Sequence, residues 1–325
     1  MMKYLIMAIA IVIISLYEVD FVHAASIINT TKSYTYEEYQ EDVWILKSKY
    51  KNQLRIISFG NSEFGRKLYA IQVGKGKNNI MITGAHHGRE WITSLLTMKM
   101  VEETAISLQA NENYLDQFSI WFVPMLNPDG VTIQQGDIEK FPFLSKRRIL
   151  KMNNGSTDFS SWKSNGLGID LNRQYPAGWE ALQHGSEKPS YKNYKGQKPL
   201  EARETNAIVK LTEQIKPVLA VSYHSSGQEI FWQYKNDNEQ RDKKIAEAIA
   251  KETGYKLGEP KEDAVGGGYT DWFITTYQLP AFTIEICPLV EETNPPISSF
   301  ASEWRRNEEI PLLLIEEAKT YIKSP

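Results

Sequence analysis

The spacing of apolar and polar positions divides the chain into short buried runs separated by longer helical patterns. Residues 79–83 (NIMIT) form a brief, almost continuous apolar run, as expected of a strand covered on both faces. Residues 118–124 form a second such run, and 90–108 between them carry a helical periodicity. Strand, helix, strand at these lengths predicts a parallel α/β unit. Upstream, Thr35 followed three residues later by Glu38 predicts a capping box opening a helix that runs to Tyr50. Runs at 54–59 and 67–73 predict strands around a turn at 60–65. Downstream the pattern predicts helices over 201–214 and 240–253, strands over 218–223, 229–233 and 281–287, and a terminal helix over 299–322 kinked at Pro311. Residues 131–168, basic around Lys146, Arg147 and Arg148, predict a long surface excursion, and such loops are usually functional. No repeat or composition break divides residues 25–325, which predicts one α/β domain.

The first residues do not follow this pattern. Lys3, an apolar run from Tyr4 to Leu16 and the small-residue ending Val22-His23-Ala24 predict a signal peptide over 1–24, cleaved near Ala24-Ala25. At about 13 residues the run is short for a membrane span of roughly 20, so an uncleaved anchor is the weaker alternative. The chain is therefore expected to be secreted, with no stable membrane partner. A net charge of −3 over 325 residues provides no basic field for nucleic acid. Cys287 is the only cysteine, which rules out an intramolecular disulfide, and its apolar neighbours predict a buried strand residue.

The chemistry begins at MITGAHHGREWI, residues 81–92. His87 and Glu90 lie three apart where a strand ends and a helix begins, and ligands of open α/β sheets bind beyond the carboxyl ends of strands. Two histidines and one glutamate make a catalytic zinc shell, but His-x-x-Glu alone also occurs by chance. Of the remaining histidines, His23 leaves with the signal peptide, His86 would point away from its neighbour, and His184 lies in a loop-like stretch. His224 ends the run 218–223 and is the best third ligand; the alternative is a hydrogen-bonded strand-end histidine. Glu285 interrupts the apolar run FTIEIC. A buried charge there needs a partner, as a general base beside a metal or in a structural salt bridge.

GAHHGREW, NPDG, GIDLNRQYP, SYHSSG, GGGYTDW and FTIEIC occur in the order found in zinc carboxypeptidases of the carboxypeptidase A type, which the chain resembles over residues 84–287. WKSNGLGIDLNRQYPAGW and YHSSGQ are closer still to the bacterial branch that cuts γ-D-glutamyl–diaminopimelate bonds in peptidoglycan. The resemblance implies a mixed parallel and antiparallel sheet with helices on both faces, and one Zn2+ held by His87, Glu90 and His224. It implies Glu285 as general base, Asn172 and Arg173 as the clamp for a substrate carboxylate, and Arg89 lining the neighbouring subsite. Asp170 is implied as the acid that orients a ligand histidine.

The sequence departs from the digestive members at three positions. Trp162-Lys163-Ser164 stands where Trp-Arg-Lys is expected, leaving Lys163 to stabilise the oxyanion. Residues 262–265 lack the mobile tyrosine, and Tyr269 is the nearest phenol. Thr270, small and polar, stands at the position that sets side-chain preference. These features predict a monomeric peptidase acting on peptides or peptidoglycan stem peptides. The rivals are a general carboxypeptidase on nutrient peptides and, more remotely, a binding protein on an inactive scaffold.

Overall fold

The computed structural model of the chain describes residues 26–183, 185–259 and 266–322. The expected signal peptide and its cleavage point, His184 and the stretch 262–265 lie outside these residues. Eight strands form one sheet: β1 (Leu54–Asn61), β2 (Lys67–Val73), β3 (Asn78–Thr83), β4 (Phe118–Val123), β5 (Leu219–Ser225), β6 (Glu229–Phe231), β7 (Lys256–Leu257) and β8 (Ala281–Ile286). Their order is β1-β2-β4-β3-β5-β8-β6-β7. The centre, β4-β3-β5-β8, is parallel, and β1, β2 and β6 add antiparallel pairs. The sheet is mixed, as the resemblance implied.

Side-chain alternation along the central strands assigns the two faces different tasks. Ile80, Ile82, Leu219, Val221, Tyr223, Phe282 and Ile284 enter one large core. That core is closed by α1 (Tyr36–Lys49), α2 (Trp91–Ala110), α6 (Glu239–Thr253), α8 (Phe300–Asn307) and α9 (Ile310–Lys319). Burying each such aliphatic or aromatic side chain contributes about 1.5–3 kcal/mol. The opposite face carries Met81, Ala220 and Ala281 against α5 (Arg203–Ile215) and α7 (Tyr269–Tyr277). Farther along the same strands, that alternation reaches Ser222 and His224 on β5 and Thr283 and Glu285 on β8. The first core secures the strands, so the second face can carry polar groups at their ends.

The excursion expected over 131–168 is in part regular. It contains the end of α3 (Pro128–Gln134) and α4 (Phe143–Met152), packed on a small core of Ile133, Phe141, Ile149, Phe159 and Trp162. Two or three turns offer too little periodicity to stand out, and α4 buries only Ile149. The single terminal helix expected over 299–322 is two. Pro311 lies in the first turn of α9, where its missing N–H interrupts no helical bond. Helix α7 and the two-residue β7 were not expected, and β6 stops at Phe231 rather than at 233.

Two buried carboxylates tie the β1–β2 turn to the segment that carries the site. Asp129 accepts from Arg66 Nη1 at 2.6 Å and from the Phe64 N–H at 3.0 Å. Glu204 accepts from the Glu63 N–H at 3.1 Å and from Asn165 Nδ2 at 3.2 Å. Burial, then the nearby charges of Asp129 and Glu63, push the Glu204 carboxyl up to about 8. A folded-state value above the unfolded one, roughly 4.3, gives stability that is complete below the lower value and lost as pH rises through the higher one. The thermal midpoint should therefore fall between about pH 5 and pH 8 more steeply in the wild type than in Glu204→Gln. Parallel curves for the two proteins would show that Glu204 does not hold a proton in the native state.

Candidate active site

Adjacent parallel strands β3 and β5 release their chains side by side at the same sheet edge. After β3 the chain enters a single 3-10 turn, Gly88–Glu90, that leads into α2. Gly88 is required there: a Cβ would lie 2.4 Å from the Gly130 carbonyl oxygen. Asn127 fixes this crossing by donating Nδ2 to the carbonyls of His86 (3.1 Å) and Ser164 (3.2 Å) while its Oδ1 accepts from the Gly130 N–H.

The result is a compact set of donors. His87 Nδ1 lies 2.8 Å from Glu90 Oε1, His224 Nδ1 lies 2.9 Å from Glu90 Oε2, and the two Nδ1 atoms are 3.2 Å apart. The ligand atoms of all three residues fall within 4.8 Å of one another. All three side chains are buried. Burial alone would raise the Glu90 carboxyl, but His87 and His224 outweigh it and hold it well below the usual range. Burial lowers the His224 imidazole against the opposing pull of Glu90, which favours the neutral ring a metal requires. His87 Nε2 meets Asp170 Oδ1 at 3.1 Å. With Nε2 donating there, the Nδ1 lone pair is left facing Glu90 and His224.

Asp170 is shared. Its Oδ2 lies 3.0 Å from Lys163 Nζ and 3.6 Å from Arg173 Nε. Burial would raise its carboxyl, but Lys163, His87 and Arg173 together hold it well below the usual range. Glu285 pairs with His224 in the β5–β8 register. Burial pushes its carboxyl well up, the charge of Glu90 adds to this, and Lys163 and Arg89 oppose it.

A cavity of about 430 Å3 opens over these residues. His87, His224, Lys163, Asn172, Arg173, Thr270, Thr283 and Glu285 line it together. Thr270 Oγ1 is 2.8 Å from Thr283 Oγ1 on its wall. Arg89 acts on Glu285 through its charge, with Nη1 buried and without a hydrogen-bond partner among the described residues.

One residue, Tyr269, differs from expectation, and His86, expected outside the ligand set, is found there. Tyr269 cannot reach substrate: it is fully buried, and its hydroxyl is 3.0 Å from Thr212 Oγ1. The Thr212 bond and the packing of α7 hold the phenol in the core, away from the cavity. His86 stays out of the ligand set, bonded instead to the Tyr175 hydroxyl (3.0 Å), but its ring stacks on that of His224 at 5.4 Å. The sequence reading also missed Asn127 and the wall residues Glu229, Phe231 and Trp232.

Comparison with known proteins agrees with this geometry. A family profile described as zinc carboxypeptidase matches residues 41–310. The chain belongs to the zinc carboxypeptidase family. It is 30% identical over 286 residues to gamma-D-glutamyl-L-diamino acid endopeptidase 1 of Lysinibacillus sphaericus, covering 84% of this chain and 70% of that one. It is 27% identical over 214 residues to metallocarboxypeptidase A of Trichophyton rubrum, covering 62% and 47%. In fold it is similar to bovine thrombin-activatable fibrinolysis inhibitor (TM-score 0.74, 18% identity, 90% of this chain and 99% of that one). Carboxypeptidase A from Helicoverpa armigera is similar too (TM-score 0.71, 17% identity, 90% and 75%).

The protein is thus a zinc metallopeptidase, and the donors fit the metal. Two imidazole nitrogens and one carboxylate match a catalytic zinc site with three protein ligands. When bound, zinc supplies Lewis-acid chemistry: it polarises an acyl carbonyl and makes water a stronger acid. His224→Ala should lose stoichiometric zinc, whereas His86→Ala should retain it despite losing the stacked ring. Metal analysis of the two purified variants checks this, and the reverse pattern would overturn the ligand assignment.

Proposed function

We propose that this zinc peptidase hydrolyses the γ-D-glutamyl bond to a diamino acid, meso-diaminopimelate in peptidoglycan stem peptides, as a monomer exported from the cell. The observation that carries this reading is the similarity to the Lysinibacillus endopeptidase, which extends over most of both chains. The small, polar Thr270–Thr283 wall supports it, because a side chain ending in an amine and a carboxylate needs polar surroundings. The export expectation rests on the N-terminal sequence pattern.

Each residue has a task in this reading. Arg173 presents a guanidinium fork to a substrate carboxylate, the geometry that binds both oxygens. Asn172 accepts from the Tyr269 N–H through Oδ1 at 3.0 Å, which leaves its Nδ2 to donate to the same carboxylate. Glu285 takes a proton from the attacking water and passes it to the leaving amine. Lys163, held by Asp170, lends positive charge to the developing oxyanion. Asp170 therefore orients the His87 ligand and the lysine together. A second reading, removal of C-terminal residues from ordinary peptides, is favoured by the fungal metallocarboxypeptidase match.

Cleavage of L-Ala-γ-D-Glu-meso-diaminopimelate should exceed that of hippuryl-Phe, hippuryl-Arg and hippuryl-Lys in kcat/KM. Faster turnover of any hippuryl substrate would favour the second reading. Glu285→Gln should retain zinc and lose roughly 10²–10⁴-fold in kcat, the usual worth of general acid–base catalysis. Wild-type turnover in that variant would make Glu285 structural. Arg173→Ala should raise KM at least about tenfold, the equivalent of one lost charge-assisted hydrogen bond.

A further inference from the structure

The β-sheet register places a second carboxylate beside the general base. Glu285 of β8 pairs with His224 of β5 on one side and with Glu229 of β6 on the other. His224, Glu285 and Glu229 thus form one row across the sheet, spaced by about 4.8 Å per strand. All three line the same cavity. Like charges directly opposite in an antiparallel pair destabilise each other. The one ion-pair partner of Glu229 among the described residues is Lys256 Nζ at 2.8 Å, whose side chain is 71% exposed. An ion pair so open to solvent is weak and easily exchanged.

Such a carboxylate accepts a cation and repels an anion. We propose that Glu229 determines specificity by binding the side-chain ammonium of the residue on the leaving side, displacing Lys256 as it does so. The position suits that task. The ammonium would sit one strand beyond Glu285, while the α-carboxylate is held by Arg173 and Asn172 on a different segment of the cavity wall. A leaving residue with a carboxylate at one end and an amine on its side chain matches both charges. An aliphatic or acidic side chain leaves the Glu229–Glu285 repulsion unrelieved. The inference deepens the proposed function and rests on its assignment of the leaving residue to this cavity.

The test compares kcat/KM for L-Ala-γ-D-Glu-meso-diaminopimelate with that for the 2-aminopimelate analogue, which lacks only the side-chain amine. The wild type should prefer the amine-bearing substrate at least about tenfold, the equivalent of a charge-assisted hydrogen bond. Glu229→Gln should remove most of that preference, and Lys256→Gln, which abolishes the competing cation, should increase it. Equal losses on both substrates in Glu229→Gln, or a preference that survives the substitution, would overturn the proposal. If neither γ-D-glutamyl substrate is cleaved, the proposed substrate has failed on its own. The ratio of hippuryl-Lys to hippuryl-norleucine in wild type and Glu229→Gln then decides the role of Glu229 by the same criterion.

Discussion

Two imidazole nitrogens and a carboxylate, brought within 4.8 Å of one another in a buried place, set the terms for everything around them. Ordinary packing does not favour that arrangement: Nδ1 faces Nδ1 at 3.2 Å, and among the described residues Glu90 makes its ion-pair contacts with the two histidines alone. A divalent cation satisfies it. The neighbouring residues hold the set ready for the ion. Asp170 fixes the orientation of the His87 ring, and Asn127 fixes the backbone that precedes it. The His86 ring rests against that of His224. Preorganised donors of this kind gain affinity because little reorganisation is needed on binding.

The sheet makes such an arrangement affordable by dividing labour between its faces. Ile82, Val221 and Ile284 anchor β3, β5 and β8 in the large core; His224 and Glu285 stand among the last residues of β5 and β8, and His87 follows the end of β3. Because parallel strands keep a fixed register, the distance between His224 on β5 and Glu285 on β8 is set by hydrogen bonds within the sheet rather than by a loop. The same register explains how Glu229 comes to stand beside Glu285. The charges form a connected pattern. Asp170 carries Lys163, His87 and Arg173, so one buried acid ties a ligand histidine to two cations that line the cavity.

Much of this was legible in the chain. The strand runs, the His-x-x-Glu spacing, the strand-end His224 and the isolated carboxylate of Glu285 in an apolar run each carry a local signal, and the structure brings these residues together. Where the reading failed, the determining contact lay far away in sequence. Tyr269 resembled a cavity phenol until its bond to Thr212, 57 residues away, placed it in the core. Helices α3 and α4 were hidden because two or three turns seated on a small separate core show no clear periodicity. Glu229 was missed because a three-residue strand offers almost no pattern, and its importance comes from its cross-strand partner.

The central claim is that His87, Glu90 and His224 together hold one zinc ion at the ends of β3 and β5. Anomalous diffraction across the zinc absorption edge, from crystals of the purified protein, tests it most directly. The account predicts one strong zinc-specific peak per chain, in contact with Nδ1 of His87, Nδ1 of His224 and the Glu90 carboxylate. A zinc peak coordinated by other residues, with these three left bonded only to each other, would contradict it.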